Sequence, residues 1–275
     1  MIRTLRAPRA ALRPLCTASA SGTASATAAR KKIVVFGGNG FVGSEIVKAA
    51  LDAGHEVVSI NRSGRPAHFK CADESQLTWV KGDIFEAEGW KDQLASAAAV
   101  VSTVGAFGSN EFMLKMNGTA NINAITQALA AGVPRCVYIS TLENNLPDFV
   151  LAGYFQGKRN AEQVLLDSYP AVGAGVVLRP GFIYGTRVVP GGVSIPLSLL
   201  GKPLSLLFAN PLVDKIRRTV PGMLAPLAVP LPVREVARAA VEAAVGSERA
   251  LQACAAPSSG RQNVLSIADI ERLGA

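Results

Sequence analysis

Tyr154 and Lys158 stand four residues apart, so on a helix they share one face about a turn from each other. A phenol, with a reference pKa of about 10, is a poor acid or base at neutral pH, but a nearby cation favours the phenolate and lowers that value. Ser140 and Thr141 lie 14 and 13 residues earlier, at the end of an apolar run, where either hydroxyl could orient a carbonyl beside the phenol. The chemistry within reach is proton transfer to or from the oxygen of a carbonyl or alcohol. A YxxxK spacing is common by chance, with the tyrosine packed and the lysine solvated. Its weight therefore depends on what the rest of the chain builds around it.

The stretch Lys32 to Glu45, KIVVFGGNGFVGSE, reads as strand, tight turn and helix. Gly37 and Gly38 let the chain leave the strand, Gly40 admits a pyrophosphate to the backbone, and Gly43 lets the helix pack close to the strand. Asn39, Phe41 and Val42 complete the turn, and the helix N-terminus offers free N–H groups to phosphate. The second strand, 55–62, ends in Asn61 and Arg62 with Arg65 nearby, where an acid would bind a ribose 2′-hydroxyl. A guanidinium there suits a 2′-phosphate, so NADP is expected over NAD. Asp83 and Ile84 follow the third strand, 77–83, where an acceptor could take the adenine amino group. Thr103, Val104 and Gly105 belong to the glycine-containing loop that ends a fourth strand, 98–108, and should cover the nicotinamide ribose. Pro180 and Ile183, in the loop after strand six, are expected to cross the cofactor.

Helices at 112–131, 154–166 and 232–245 alternate with strands at 135–141 and 173–180. That alternation predicts an α/β fold, a Rossmann-type doubly wound parallel sheet with ligands at the strand C-termini. Residues 31–185 form the expected dinucleotide-binding domain. Residues 186–275 form a small, proline-rich C-terminal portion, expected as a lid, substrate wall or partner surface.

The net charge of +8 suggests nucleic acid until it is localised. Residues 1–32 hold seven of the 28 basic residues and no acid, leaving 21 basic against 20 acidic residues, which argues against a phosphate-backbone partner. The segment 1–30 is arginine- and serine-rich and acid-poor, the composition of a transit peptide outside the fold. Arginines from position 3 onward favour a mitochondrial address, matrix or matrix face of the inner membrane, with the plastid as runner-up. Cys16, Cys71, Cys136 and Cys254 show no metal or disulfide spacing, so no metal site is expected. His55 and His68 are expected at the surface. The apolar run from 193 to 233 is broken by charges and prolines and cannot span a bilayer.

The motifs GGNGFVG, GD at 82–83, NGTAN with GVPRCVYIST, YFQGK and LRPGFIYG together resemble the extended or atypical short-chain dehydrogenase/reductases (NAD-dependent epimerase/dehydratase-like). Within them the chain is most similar to a mitochondrial group that includes a coenzyme Q biosynthesis accessory protein and is related to the complex I 39 kDa subunit. The resemblance implies Tyr154 as proton carrier, Lys158 as its pKa modifier and ribose ligand, and Ser140 or Thr141 as the orienting hydroxyl. It also implies an apolar, quinone-related substrate, a mitochondrial protein complex and peripheral membrane contact. Two departures bear on catalysis: Lys115 stands where the family's NVxGTxN begins with asparagine, and the tyrosine follows strand five unusually closely. Two functions fit: an NADP-dependent oxidoreductase linked to ubiquinone metabolism, and a cofactor-holding assembly or accessory subunit. Nucleotide-sugar epimerisation fits less well, because the C-terminal part is apolar.

Overall fold

The β-branched run Ile33–Val35 and Phe36 are fully buried, as a strand with both faces covered requires. A computed structural model of the chain describes residues 29–67, 69–142, 151–188, 194–196 and 230–275. Strands β1 (Lys32–Phe36), β2 (Glu56–Asn61), β3 (Leu77–Lys81), β4 (Ala99–Ser102), β5 (Cys136–Ile139) and β6 (Gly175–Leu178) pair in the order β3-β2-β1-β4-β5-β6. Two two-stranded ladders lie outside the main sheet: β7 (Ile183–Tyr184) with β10 (Leu231–Pro232), and β8 (Thr186–Val188) with β9 (Ser194–Pro196). A seventh strand, β11 (Val264–Leu265), joins the edge beside β6, and every ladder of the seven-stranded sheet is parallel. The strand order reverses between β1 and β4, the place where doubly wound sheets open a ligand crevice.

Helices cover both faces. One face packs α1 (Phe41–Asp52), α5 (Val233–Val245) and α7 (Ile267–Gly274) around Ile46, Val47, Val236, Ala240 and Leu273. On the other face, α3 (Ala120–Ala130), α4 (Ala152–Ser168) and Trp90 close over Phe36, Tyr138 and Leu165. Five of the eight buried residues of α5 are alanines, among them Ala237 and Ala240, so it can lie close to α1 and the strands. The helix α6 (Glu248–Ala255) is capped by Ser247, and α7 starts with a reciprocal Ser266–Asp269 capping box.

The structure departs from the sequence expectations in several places. β4 stops at Ser102 instead of running to 108, because the chain leaves the ladder once the Thr103 amide has bonded the Phe36 carbonyl. The helix expected over 112–131 begins at Asn110 as α2 (Asn110–Leu114) and passes through one π-turn, Lys115–Thr119, before α3. β11 has only two residues, too few to show a period, and it follows Asn263, which has a left-handed φ of 63°. The C-terminal stretch 230–275 completes the sheet and its helical layer, whereas the proline-rich run expected as the lid falls largely in 197–229, outside the described residues. His55 is buried, in contrast to its expected surface placement, and burial lowers its pKa, as does the nearby Lys31 charge. His68 and residues 1–28 lie outside the described residues.

Candidate active site

The turn after β1 is set by contacts that leave no room for side chains. Gly37 has a φ of 82°, and a Cβ on Gly43 would stand 2.2 Å from the Gly37 carbonyl oxygen. A Cβ on Gly38 would meet the Ser59 hydroxyl at 2.2 Å. Apart from the Asn39 side chain the bend is therefore main chain, and Gly40 caps α1 without a side-chain hydrogen bond. Thr103 fastens the neighbouring strand to this bend, its Oγ1 donating to the Phe36 carbonyl at 2.9 Å.

A cavity of about 520 Å³ opens above the bend. Gly37, Asn39, Gly40, Asn61 and Arg62 line one part, with Asp83 and Ile84 beside them, and Thr103, Val104 and Gly105 line another. At the Arg62 end, Asn39 Nδ2 donates to Ser63 Oγ at 2.8 Å. Arg65 is engaged elsewhere, paired with Glu74 at 2.9 Å, which leaves Arg62 as the cationic side chain lining this part, with Asn39, Asn61 and Ser63 beside it. Asp83 builds a turn, its Oδ1 accepting from the Phe85 amide at 3.0 Å. The Trp90 indole donates to the Asp83 carbonyl at 2.7 Å and packs edge-on against Phe36, so the loop is anchored to the core. Phe41, Val42, Gly38 and Gly43 shape the cradle from behind rather than lining the cavity. Pro180 and Ile183 do not line it either: Pro180 is buried with its carbonyl bonded to the Leu142 amide, and Ile183 pairs with Leu231.

Beyond Gly105, outside the residues that line the cavity, lie Lys158 and Tyr154. A Cβ on Gly105 would come within 3.7 Å of Lys158 Nζ, so this lysine abuts the cavity rim. Lys158 is buried, donates to the Ile139 carbonyl at 2.8 Å, and lies 4.8 Å from the Tyr138 ring centroid and 5.8 Å from that of Tyr154. Burial pushes its ammonium down to about 7, against the opposing pull of Glu162. The phenol of Tyr154 is moved the other way: burial raises it, while a hydrogen bond with the Thr141 side chain and the charge of Arg159 lower it. Thus Thr141 is the hydroxyl paired with Tyr154, whereas Ser140 Oγ is buried without a hydrogen-bond partner among the described residues. Phe107, exposed, stacks on the Tyr154 ring with centroids 5.0 Å apart.

Several residues that hold this region were not singled out from the sequence. Asn117 and Asn121, four apart, are completely buried. Asn117 Nδ2 donates to the Ala106 and Met113 carbonyls, and Asn121 Nδ2 reaches the Val104 carbonyl, so together they set the loop after β4. The π-turn brings Asn117 here, while Lys115 points instead over the Phe85 ring. Two asparagines at helical spacing on a buried face were the available signal. Gly118 and Gly157 bring α4 against the π-turn; a Cβ on Gly157 would lie 2.8 Å from the Gly118 amide nitrogen. Gly157 sits between Tyr154 and Lys158, so this contact fixes the depth of both.

A doubly wound parallel sheet with a bare glycine bend at its switch point defines a dinucleotide-binding α/β protein. The chain belongs to the NAD(P)H-binding family, whose profile matches residues 37–184. It is 48% identical over 220 residues to the chloroplastic protein At1g32220 of Arabidopsis thaliana, covering 78% of this chain and 71% of that one. It is also similar to MIOREX complex component 2 of Saccharomyces cerevisiae, 37% over 84 residues (29% of this chain, 30% of that one). To 2-alkyl-3-oxoalkanoate reductase of Stenotrophomonas maltophilia it is 30% identical over 173 residues (56% and 51%). The chain thus spans about half the length or less of these last two relatives. Among solved structures, the Bordetella bronchiseptica enzyme WbmH in complex with NAD+ superposes with a TM-score of 0.53 at 20% identity, covering 86% of each chain. At that identity the likeness shows the fold. Among the described residues no helix is long and apolar enough to cross a membrane, and no His/Cys/Asp/Glu group could hold a metal ion.

Proposed function

We propose that the protein is an NADP(H)-dependent oxidoreductase of the short-chain type, acting on an apolar carbonyl compound, with Tyr154 as the proton carrier. The observation that supports this most is Lys158, which reaches the cavity rim at Gly105 and lies 5.8 Å from the Tyr154 ring centroid, while Arg62 and Ser63 line the same cavity elsewhere. The glycine cradle, with no room for a Cβ at Gly43, fits a pyrophosphate on main-chain amides. Arg62 would meet a 2′-phosphate, and Lys158 and Gly105 would flank the nicotinamide ribose. The cofactor supplies the hydride. Tyr154 supplies or takes the proton at the carbonyl oxygen, and Thr141 orients that oxygen. The relative named as a 2-alkyl-3-oxoalkanoate reductase supports a carbonyl substrate with an apolar body, and a quinone-related carbonyl belongs to the same class.

The test is turnover of apolar carbonyl compounds, quinones included, by the full chain and by Tyr154→Phe, beside NADPH titration of both. Turnover should fall roughly 10²- to 10⁴-fold with unchanged NADPH affinity. Equal turnover in the variant removes the role from Tyr154. A second reading has one observation in its favour: a relative is a component of a complex. In that reading the nucleotide stabilises an accessory subunit, and tight NADPH binding without any turnover is its signature. Residues 1–30 serve as an organelle leader in either case. The Arabidopsis relative, matching most of both chains, favours the plastid over the mitochondrial address expected from the arginine spacing. Import of a fluorescent fusion to residues 1–30 into isolated plastids and mitochondria separates the two.

A further inference from the structure

One turn past Lys158 on α4 lies a charge cluster that the proposed cofactor site leaves unused. Glu162 is almost completely buried, and its carboxylate takes Arg159 Nη1 at 2.5 Å together with Arg179 Nε at 3.1 Å and Nη2 at 2.6 Å. Removing such charges from water is expensive, and apolar residues of similar volume often stabilise a core as well. The cluster therefore calls for a second role, and the other arm of Arg159 shows one. Its Nη2 donates to the Thr141 carbonyl at 2.5 Å, directly beside the hydroxyl that bonds the Tyr154 phenol.

We propose that Arg159 is a positioning residue: clamped by Glu162, its fork holds the Thr141 carbonyl at the end of β5 and so aims the Thr141 hydroxyl at the Tyr154 phenol. The inference rests on the reading of Tyr154 as proton carrier. A planar guanidinium can bridge a carboxylate and a carbonyl with separate N–H groups, a geometry closed to the single ammonium of lysine. The charge acts as well as the fork. Arg159 favours the phenolate of Tyr154 and disfavours the ammonium of Lys158, while Glu162 opposes it at Lys158. Among the described residues, the charged and titratable groups facing Tyr154 and Lys158 are Arg159 and Glu162 on α4, Tyr138 on β5 and Arg179 after β6.

Arg159→Lys and Arg159→Met separate the fork from the charge, and both leave Glu162 paired with Arg179, so no buried carboxylate is stranded. Each variant is assayed for kcat and KM, and its phenol is titrated by ultraviolet difference against the matching Tyr154→Phe protein. Arg159→Lys should lower kcat roughly tenfold while NADPH affinity and the phenol titration stay in place. Arg159→Met should show the same loss and also move the phenol titration to higher pH. Wild-type kcat together with an unmoved phenol titration in Arg159→Met overturns the inference, as does a loss confined to melting temperature. If even the wild-type protein turns over nothing, the redox reading falls alone. The phenol titration then still decides: a shift upholds the Arg159–Tyr154 coupling, and no shift ends it.

Discussion

The cavity above the glycine bend and the Tyr154 cluster beside it are built on different physics. At the cradle end the working groups are main-chain amides, and side chains matter chiefly by being absent, as at Gly37 and Gly43. At the Tyr154 end the working groups are buried or half-buried side chains coupled by charge, Lys158, Arg159 and Arg179 around the single carboxylate of Glu162. The first design tolerates water and needs only a shape. The second needs burial, because low local polarity is what moves Lys158 down to about 7 and Tyr154 up. Binding and chemistry should therefore fail separately when either end is damaged.

The sharpest way to break the comparison is Gly43→Ala. The new methyl meets a backbone oxygen that cannot swing aside, so roughly 3 kcal/mol of NADPH affinity, about a hundredfold, should be lost while the phenol titration is unchanged. Fluorescence titration measures it, and wild-type affinity would show that the bend does not carry the pyrophosphate.

Next in size is Lys158→Met, read as stability against pH in the protein without cofactor. The unfolded chain keeps the Lys158 proton up to about 10.4, whereas the folded protein sheds it above about 7. The unfolded state thus binds more protons across that window, and stability should rise by about 2 kcal/mol between pH 7 and 9. Denaturant melts of Lys158→Met should lack this rise. A parallel rise in both proteins would place the titration elsewhere.

The mildest test belongs to the Arg62 end. Arg62→Ala should weaken NADPH roughly tenfold, on the order of 1.4 kcal/mol, and leave NADH within about twofold. Arg65→Ala, which breaks only the exposed pair with Glu74, should change neither affinity and leave the melting temperature nearly unmoved. Equal losses for both cofactors in Arg62→Ala would mean that the site does not read the 2′-phosphate.

How far the sequence could be read follows the same division. The glycine bend and the parallel doubly wound sheet were legible, because a glycine turn between an apolar strand and a helix is a local pattern and strands alternating with helices imply parallel pairing. The pairing of Thr141 rather than Ser140 with Tyr154 was not, since both hydroxyls sit at the end of one strand and only the approach of α4 chooses between them. Nor was the burial of His55, which sits in a turn by sequence yet is covered where the chain enters β2, near Lys31 and Glu242. The roles of Asn117 and Arg159 depend on contacts reaching across 11 and 18 residues of chain; the helical spacing of Asn117 and Asn121 marks a shared face but not the carbonyls they bond. Pro180 and Ile183 were placed on the cofactor by loop position alone, and the actual path buries one and pairs the other away from the cavity.

The account turns on a dinucleotide seated in this cavity, so its most direct test is NADPH added to the purified full chain, followed by melting temperature. At a hundredfold excess over the dissociation constant, the native state should gain about 2.7 kcal/mol and melt several degrees higher, with the gain missing in Gly43→Ala. A melting temperature that ignores NADPH and NADH alike, or one that rises equally in Gly43→Ala, would contradict the assignment of this cavity to the cofactor.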